Sequence, residues 1–315
     1  MTVPVIGIDL GGTKIAGALV SPQGQPGQRF RVDTPSANGG RAVAQAVIDL
    51  VGQIRATSGQ ASAIGIGSAG VVDVEGRSIV SATDAIPGWA GTPLADLVEA
   101  ATGLPVRVIN DVHAHALGEF WMGAGRGAES VLMVACGTGV GGALVSRLVE
   151  GGVWRGVRGL GGHFGHIPVN ATTRRRCSCG RPEAHLESFA SGPGLYEWYL
   201  ERGGSPQVEG ARELESRALA YFYSEGDDAL AAAVYRDSGR VLGQVLSGLV
   251  NSLDPEIVIV GGGLANAGSL WWDPLREGYA LGLMDLVREV PLLKPQLESN
   301  SAIIGAARMA LLSLT

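Results

Sequence analysis

The chain has 315 residues, 24 basic against 30 acidic for a net charge of −6, and 46% of it is hydrophobic. That composition excludes disorder and speaks against a nucleic-acid-binding or anionic-membrane surface, while the length suits two domains of about 150 residues. Glycine is the outlier at 49 residues, roughly twice the usual share of about 7%.

Along the chain the pattern alternates strands and helices. Residues 3–10 form an apolar strand ending near Asp9, followed by Gly11, Gly12, Thr13 and Lys14 and a second apolar strand. Residues 41–58 carry apolar side chains at helical spacing, 63–67 read as a buried strand, and 93–102 as a short helix stopped by Gly103. A strand at 105–109 leads to Asp111, which sits where a helix N-cap belongs and opens a helix over 113–121. Residues 131–135 are again a strand running into a glycine turn. Between 151 and 192 regular periodicity is scarce and the loops are rich in Gly, His and Cys, a composition that tends to be functional. A long helix over 228–253 is stopped by Asp254-Pro255. The strand 257–260 then runs into Gly261, Gly262 and Gly263, and 301–314 read as a closing helix. No apolar run approaches the roughly 18 residues of a membrane span. The opening MTVPVIGIDL lacks a basic region and a cleavage site, and three cysteines make no disulfide framework. A soluble cytoplasmic protein is expected.

Residues 12–20, GTKIAGALV, and 137–145, GTGVGGALV, are identical at six of nine positions, 125 residues apart. Each lies between two apolar strands, so each predicts a strand–turn–strand unit, one per half of the chain. Short Gly-rich strings also match by chance, and each glycine cluster alone fits a plain turn. GIGSAG (65–70) and GTGVGG (137–142) satisfy G-x-G-x-x-G, but strands rather than helices follow, which excludes the dinucleotide fingerprint; no G-K-[ST] occurs. A strand-end Asp9 is instead suited to a hydrated Mg²⁺, and the Gly-Thr turns to phosphate oxygens.

DLGGTK (9–14), GIGSAGVVD (65–73), IPGWAG (86–91), VINDVHAHALGE (108–119), CGTGVGGALV (136–145), GLGGHFGHIPV (159–169), CSCG (177–180) with HLE (185–187), and LDPEIVIVGGG (253–263) follow one another in this order. Together they resemble the ROK family of sugar kinases and sugar-responsive repressors, within the actin-like ATPase superfamily. The resemblance implies an α/β fold of two duplicated actin-like, ribonuclease-H-like domains with a ligand cleft between them. The small domain would be residues 1–118 plus a C-terminal helix at about 301–315, and the large one residues 119–300. It implies ATP-dependent phosphorylation of a hexose, glucose above all, at its 6-hydroxyl. The implied phosphate loops are Asp9, Gly11, Gly12, Thr13 and Lys14 in one half and Gly137, Thr138 and Gly139 in the other. Gly261, Gly262 and Gly263 would serve the nucleotide. Gly70, Asn110, Asp111, His163, His166 and Glu187 would line the sugar site, with Asp111 as the general base. The resemblance also implies ATP and Mg²⁺ as cofactors and a homodimer, with neither nucleic acid nor membrane as partner.

In the family pattern one His and three Cys hold a structural zinc. Here His166, Cys177 and Cys179 match, and the fourth position is His185, so a His₂Cys₂ site is implied. The residues alone leave open unliganded cysteines in a surface loop. The family's G-E-x-G-H reads Gly162-His163-Phe164-Gly165-His166, so an acceptor-only carboxylate is replaced by an imidazole, which changes the sugar contacts. Cys136 reads as a buried free thiol, His113 and His115 as without function, and Arg174-Arg175-Arg176 as a solvated loop face. An N-acetylhexosamine or other hexose kinase, a non-catalytic sugar-binding relative and a repressor are the alternatives. The last needs an added helix-turn-helix domain, for which the early phosphate motif leaves no room.

Overall fold

The structure is a computed structural model and describes residues 3–82, 86–169, 175, 177–181, 184–204 and 228–314. The first elements are β1 (Val5–Leu10), β2 (Lys14–Val20), β3 (Pro26–Asp33), α1 (Gly40–Ser58), β4 (Ile64–Ser68), β5 (Val71–Val72) and β6 (Ile79–Ser81). Then come α2 (Leu94–Thr102), β7 (Val106–Asn110), α3 (Asp111–Met122), β8 (Ser130–Cys136) and β9 (Val140–Ser146). The remainder is α4 (Glu187–Ala190), α5 (Gly192–Glu201), α6 (Ala229–Leu253), β10 (Ile257–Gly261), α7 (Ser269–Gly282), β11 (Leu292–Leu293) and α8 (Ser301–Leu312). No described helix is long and apolar enough to cross a membrane.

The chain divides into two compact units. The first comprises residues 1–131, 143–162 and 295–315, the second 132–142 and 163–294. This differs from the boundary expected at 118, which would cut α3 in mid-helix. Residues 119–131, 143–162 and 295–300 cluster with the N-terminal unit instead.

In the first unit, a five-stranded sheet runs β3-β2-β1-β4-β7, with β1, β4 and β7 parallel. Alternation sorts its side chains. Ile6, Ile8 and Leu10 join Val43, Val47 and Leu50 of α1 and Leu94 of α2 in one core. Val5, Ala16 and Ala18 meet Ile303, Ala307 and Ala310 of α8 on the other face. Asp9 shares the parity of Val5 and Gly7 and lies on the α8 side. There the helix sits backbone against backbone: a Cβ on Gly7 would be 2.0 Å from the Ile303 carbonyl oxygen, and one on Gly65 would be 1.8 Å from that of Ala306.

Glu119, fully buried near the end of α3, fastens the helix to the approach to α8. Its carboxylate accepts from the backbone N–H groups of Ala124, Gln296 and Leu297, each at 2.9 Å, and from Ser301 Oγ at 2.6 Å. Four donors replace the water that this charge loses, so no cation is needed.

In the second unit a four-stranded sheet runs β11-β10-β8-β9, where β9 leaves the unit after Gly142. Its core is aromatic, around Trp271, Trp272, Phe189, Trp198 and Tyr235, with α6 packed on α7. Asp228 caps α6, accepting from Leu230 N–H (2.8 Å) and Ala231 N–H (3.1 Å), and Asp254 ends it with φ 47° just before Pro255. The stop signal in the sequence is therefore a left-handed C-cap. Both Gly-Thr strings form hairpin turns, β1 to β2 and β8 to β9, and neither G-x-G-x-x-G string opens a helix.

Glu119→Gln replaces an oxygen acceptor with an amide donor among four donors. It is expected to destabilise the fold by about 2–4 kcal/mol, read as a lowered denaturant midpoint with the slope unchanged.

Candidate active site

The parallel strands β1, β4 and β7 end together, and two of the expected site residues in the first unit, Asp9 and Asn110, sit at those ends. Asp9 pairs across to Gly67 of β4, and Ser68 to Asn110 of β7. Gly67 leaves no room for a side chain, because a Cβ there would lie 2.8 Å from Ala114 Cβ of α3. The first turn of α3 thus lies directly on the sheet and brings Asp111 to the same edge.

The helix is capped by Asn110, not by Asp111 as the spacing suggested. Asn110 Oδ1 accepts from Val112 N–H (2.9 Å) and His113 N–H (3.3 Å), while its amide donates to the Gly70 carbonyl (3.0 Å). Gly70 holds φ 98°, and a Cβ there would meet Ser81 O at 2.8 Å. Asn110 therefore locks the 68–70 turn to α3, and Trp89 Nε1 donates to Ala69 O (3.1 Å) from the opposite side. Asp111 occupies the first helical position, where its Oδ1 accepts from Val112 N–H (2.9 Å).

Burial raises the Asp111 carboxyl above its ordinary range, and the negative charge of Asp9 adds to the rise; His115 opposes it. Asp9 is raised by burial too, against the attraction of His115, Arg29 and Lys14. Asp111 and His115 are four residues apart, on one face of the helix. His115, which the spacing left without a function, is the neighbour that opposes this rise at both carboxylates. His113 is buried, with Nε2 2.7 Å from Gly161 O. No described residue donates a hydrogen bond to the Asp9 carboxylate, an acceptor-only group suited to a cation. The turn beside it is held from behind: Thr34 Oγ1 donates to Gly11 O (2.7 Å), Ser36 Oγ to Gly12 O, and Gly11 N–H to Lys14 O (3.0 Å). Gly12, Thr13 and Lys14 are exposed.

In the second unit the 137–139 turn, Glu187 and the 261–263 glycines come together. Glu187 Oε2 accepts from Val140 N–H at 2.9 Å, and a Cβ on Gly139 would fall 2.8 Å from that oxygen. Gly262 (φ 84°) abuts Cys136, since its Cβ would lie 2.2 Å from Cys136 O. The last glycine cluster thus rests on the strand that feeds the second turn. Burial pushes the Cys136 thiol up to about 12, as suits an inert core residue.

His166, Cys177, Cys179 and His185 present ligand atoms all within 4.8 Å of one another. Cys177 Sγ is 3.3 Å from His166 Nδ1, and Cys179 Sγ is 3.4 Å from His185 Nδ1. Such separations match the edges of a tetrahedron around zinc, about 3.3–3.8 Å for the usual Zn–N and Zn–S bonds. His166 turns Nδ1 to the cluster and keeps Nε2 for another partner, and the His163 ring lies 6.2 Å away, stacked. Ser178 Oγ, between the two cysteines, donates to Glu187 Oε1. The cysteine loop is therefore tied to Glu187 by a contact that the spacing of the cysteines did not announce.

Arg175 is not on a solvated face. It is buried over the rings of Phe189 (5.2 Å) and Trp198 (5.4 Å), donates to the carbonyls of Ser188 (2.6 Å) and Gly194 (2.7 Å), and pairs with Glu201 at 3.1 Å. An arginine flanked by two more reads as surface in a sequence, and only packing identifies the one that turns inward. Arg174 and Arg176 lie outside the described residues.

The family model of the ROK family matches residues 5–312. A glucokinase of Halalkalibacterium halodurans is 32% identical over 298 residues, 88% of this chain and 86% of that one. A ROK hexokinase from Thermus thermophilus superposes with a TM-score of 0.84 at 32% identity, covering 99% of each chain. A ROK family glucokinase from Streptomyces griseus, solved with glucose and AMPPNP, gives 0.79 at 32% identity over 98% of this chain and 99% of that one. The α/β fold is thus that of the actin-like ATPases. The chain belongs to the ROK family.

The electrostatics of the carboxylate pair can be measured directly. In ligand-free protein Asp111 is expected to titrate above the ordinary carboxylate value of about 3.9. His115→Ala, by removing the opposing positive charge, should move it higher still. Carbonyl-detected NMR titration reads both.

Proposed function

We propose that this chain is an ATP-dependent hexose kinase acting on the 6-hydroxyl of glucose, with Asp111 as general base. The observation that carries this reading is the carboxylate pair, Asp9 at the end of β1 and Asp111 at the start of α3, beside a hairpin turn whose outer groups are exposed. A primary alcohol becomes a nucleophile only as its proton leaves, and a carboxylate raised by burial accepts it better than an ordinary one. The start of a helix also favours the ionised form needed to begin. Asn110 has spent its oxygen on the helix cap and one N–H on Gly70, leaving its other N–H for a sugar hydroxyl. Gly70, Glu187, His163 and the free Nε2 of His166 are the remaining sugar contacts.

ATP with Mg²⁺ supplies the transferable phosphoryl group and neutralises its charge. Asp9 is the group to hold the hydrated Mg²⁺. Gly11, Gly12, Thr13 and Lys14 in the first unit, and Gly137, Thr138 and Gly139 in the second, are the phosphate turns, and Gly261, Gly262 and Gly263 border the nucleotide. His163 in place of a carboxylate favours a second reading within the same chemistry, a kinase for another hexose such as an N-acetylhexosamine.

The donor set of His166, Cys177, Cys179 and His185 fits a structural Zn²⁺. Burial holds the Cys177 thiol up at about 11, and a cation is what would draw off that proton. The ion would brace the loop that carries Ser178 to Glu187. A homodimer is supported by three exposed apolar side chains close together in sequence, Leu281, Met284 and Leu286, of which Leu286 is 94% exposed. The cytoplasm is supported by three cysteines that form no disulfide.

A coupled assay of ADP release across a panel of hexoses, with ATP and polyphosphate as donors, tests the kinase. Turnover is expected with glucose and ATP, and none with any sugar or donor would overturn the reading. Asp111→Asn should keep hexose binding and lose about 10²–10⁴-fold or more in kcat; an active variant removes Asp111 as the base. Elemental analysis should find about one zinc per chain, lost in Cys177→Ser, whereas a metal-free active protein would exclude the ion.

A further inference from the structure

The first unit holds a cavity of about 850 Å³ that none of the roles above uses. It opens at the far end of α3, where Trp121 lies ten residues beyond Asp111, about 15 Å along the helix axis. Its apolar side is Leu117, Phe120 and Met122. Its charges are three guanidiniums, Arg126, Arg147 and Arg308, and among the described residues no Asp or Glu lines it. Three positive charges around one cavity run against a chain whose net charge is −6.

Arg126 and Arg147 are exposed, whereas Arg308 is partly withdrawn from water. Arg308 is half-buried against the Trp121 ring, 4.9 Å from its centroid, and burial pulls it below the ordinary guanidinium range. Neither Arg308 nor Arg126 makes an ion pair or a side-chain hydrogen bond with any described residue. Among the described residues Arg147 pairs only with the exposed Glu129, at 3.4 Å. For Arg308, partly withdrawn from water without a carboxylate, an anion would offset the cost, and the two exposed arginines add positive charge beside it. Its planar fork suits phosphate oxygens in pairs. Gln23 and Gln25 at the rim offer amides to hydroxyls, and the volume is that of a metabolite-sized site.

We propose that this cavity binds a small phosphate monoester with a ring-sized body, its phosphate held between Arg126, Arg147 and Arg308 and its body on the Leu117–Phe120–Met122 side. The site is separate from the carboxylate pair and does not depend on the kinase reading.

Isothermal titration of the whole protein, saturated with a non-hydrolysable ATP analogue, tests it with two probes, glucose 6-phosphate for a sugar body and adenosine 5′-monophosphate for an aromatic one. At least one is expected to bind saturably, at one site per chain, and the arms say which body fits. Arg308→Gln and, should that half-buried change harm folding, the exposed Arg126→Gln should each weaken binding about tenfold or more, the loss of one charged hydrogen bond. Neither substitution touches the groups assigned to phosphoryl transfer. The proposal is overturned if neither probe binds saturably or if folded Arg126→Gln protein binds as tightly as the parent.

Discussion

The buried carboxylate of Glu119 is the constraint on which the first unit turns. An unpaired charge in a protein interior is prohibitive, so the three backbone N–H groups and the Ser301 hydroxyl must be where they are. Those donors belong to the turn after α3 and to the approach to α8, so satisfying one side chain fixes both helices. α8 then lies so close to β1 and β4 that only glycine fits beneath it at positions 7 and 65. With α8 seated, α3 has one place left, and its first turn settles on Gly67 with Asp111 beside the end of β1. The candidate base is thus positioned from the opposite end of its own helix.

This arrangement divides α3 by chemistry. Its N-terminal turn gathers Asn110, Asp111 and His115 with Asp9, a group of carboxylates, amide and imidazole whose charges perturb one another. Its C-terminal turn carries Phe120, Trp121 and Met122 into a cavity ringed by arginine. In the second unit Glu187 plays a comparable connecting part. One of its oxygens holds the backbone just beyond the 137–139 turn, and the other accepts from the cysteine loop. A displacement of the His and Cys cluster would therefore be felt at the 137–139 turn through a single carboxylate.

Much of this was legible beforehand. The duplicated Gly-Thr strings announced two hairpins because turns need few residues and their flanking strands are continuous apolar runs. Asp228, Asp254-Pro255 and Gly103 marked helix ends through local backbone chemistry. The readings that changed concern contacts between distant segments. Asn110 rather than Asp111 caps α3, a choice between neighbours decided by where the chain leaves β7. Arg175 turned inward because two aromatic rings and two carbonyls await it. His115 acquired two acidic neighbours, one of them more than a hundred residues away in the chain. The helix α7 is hard to read in the sequence because Pro274 and Gly278 interrupt a segment that packing against α6 nonetheless holds helical.

Sequence alone determined what is local or shared with relatives. That covers the strand and helix alternation, the turns, the motifs that place the chain among the ROK proteins, and the His and Cys set with metal-ligand spacing. Tertiary structure decided what depends on distance through space: which glycines serve close packing rather than turning, which charged groups are buried and by what they are satisfied, and which carboxylates perturb each other. The reason is physical. Backbone propensity and capping act over a few residues, whereas desolvation and Coulomb interaction depend only on where the folded chain brings its groups.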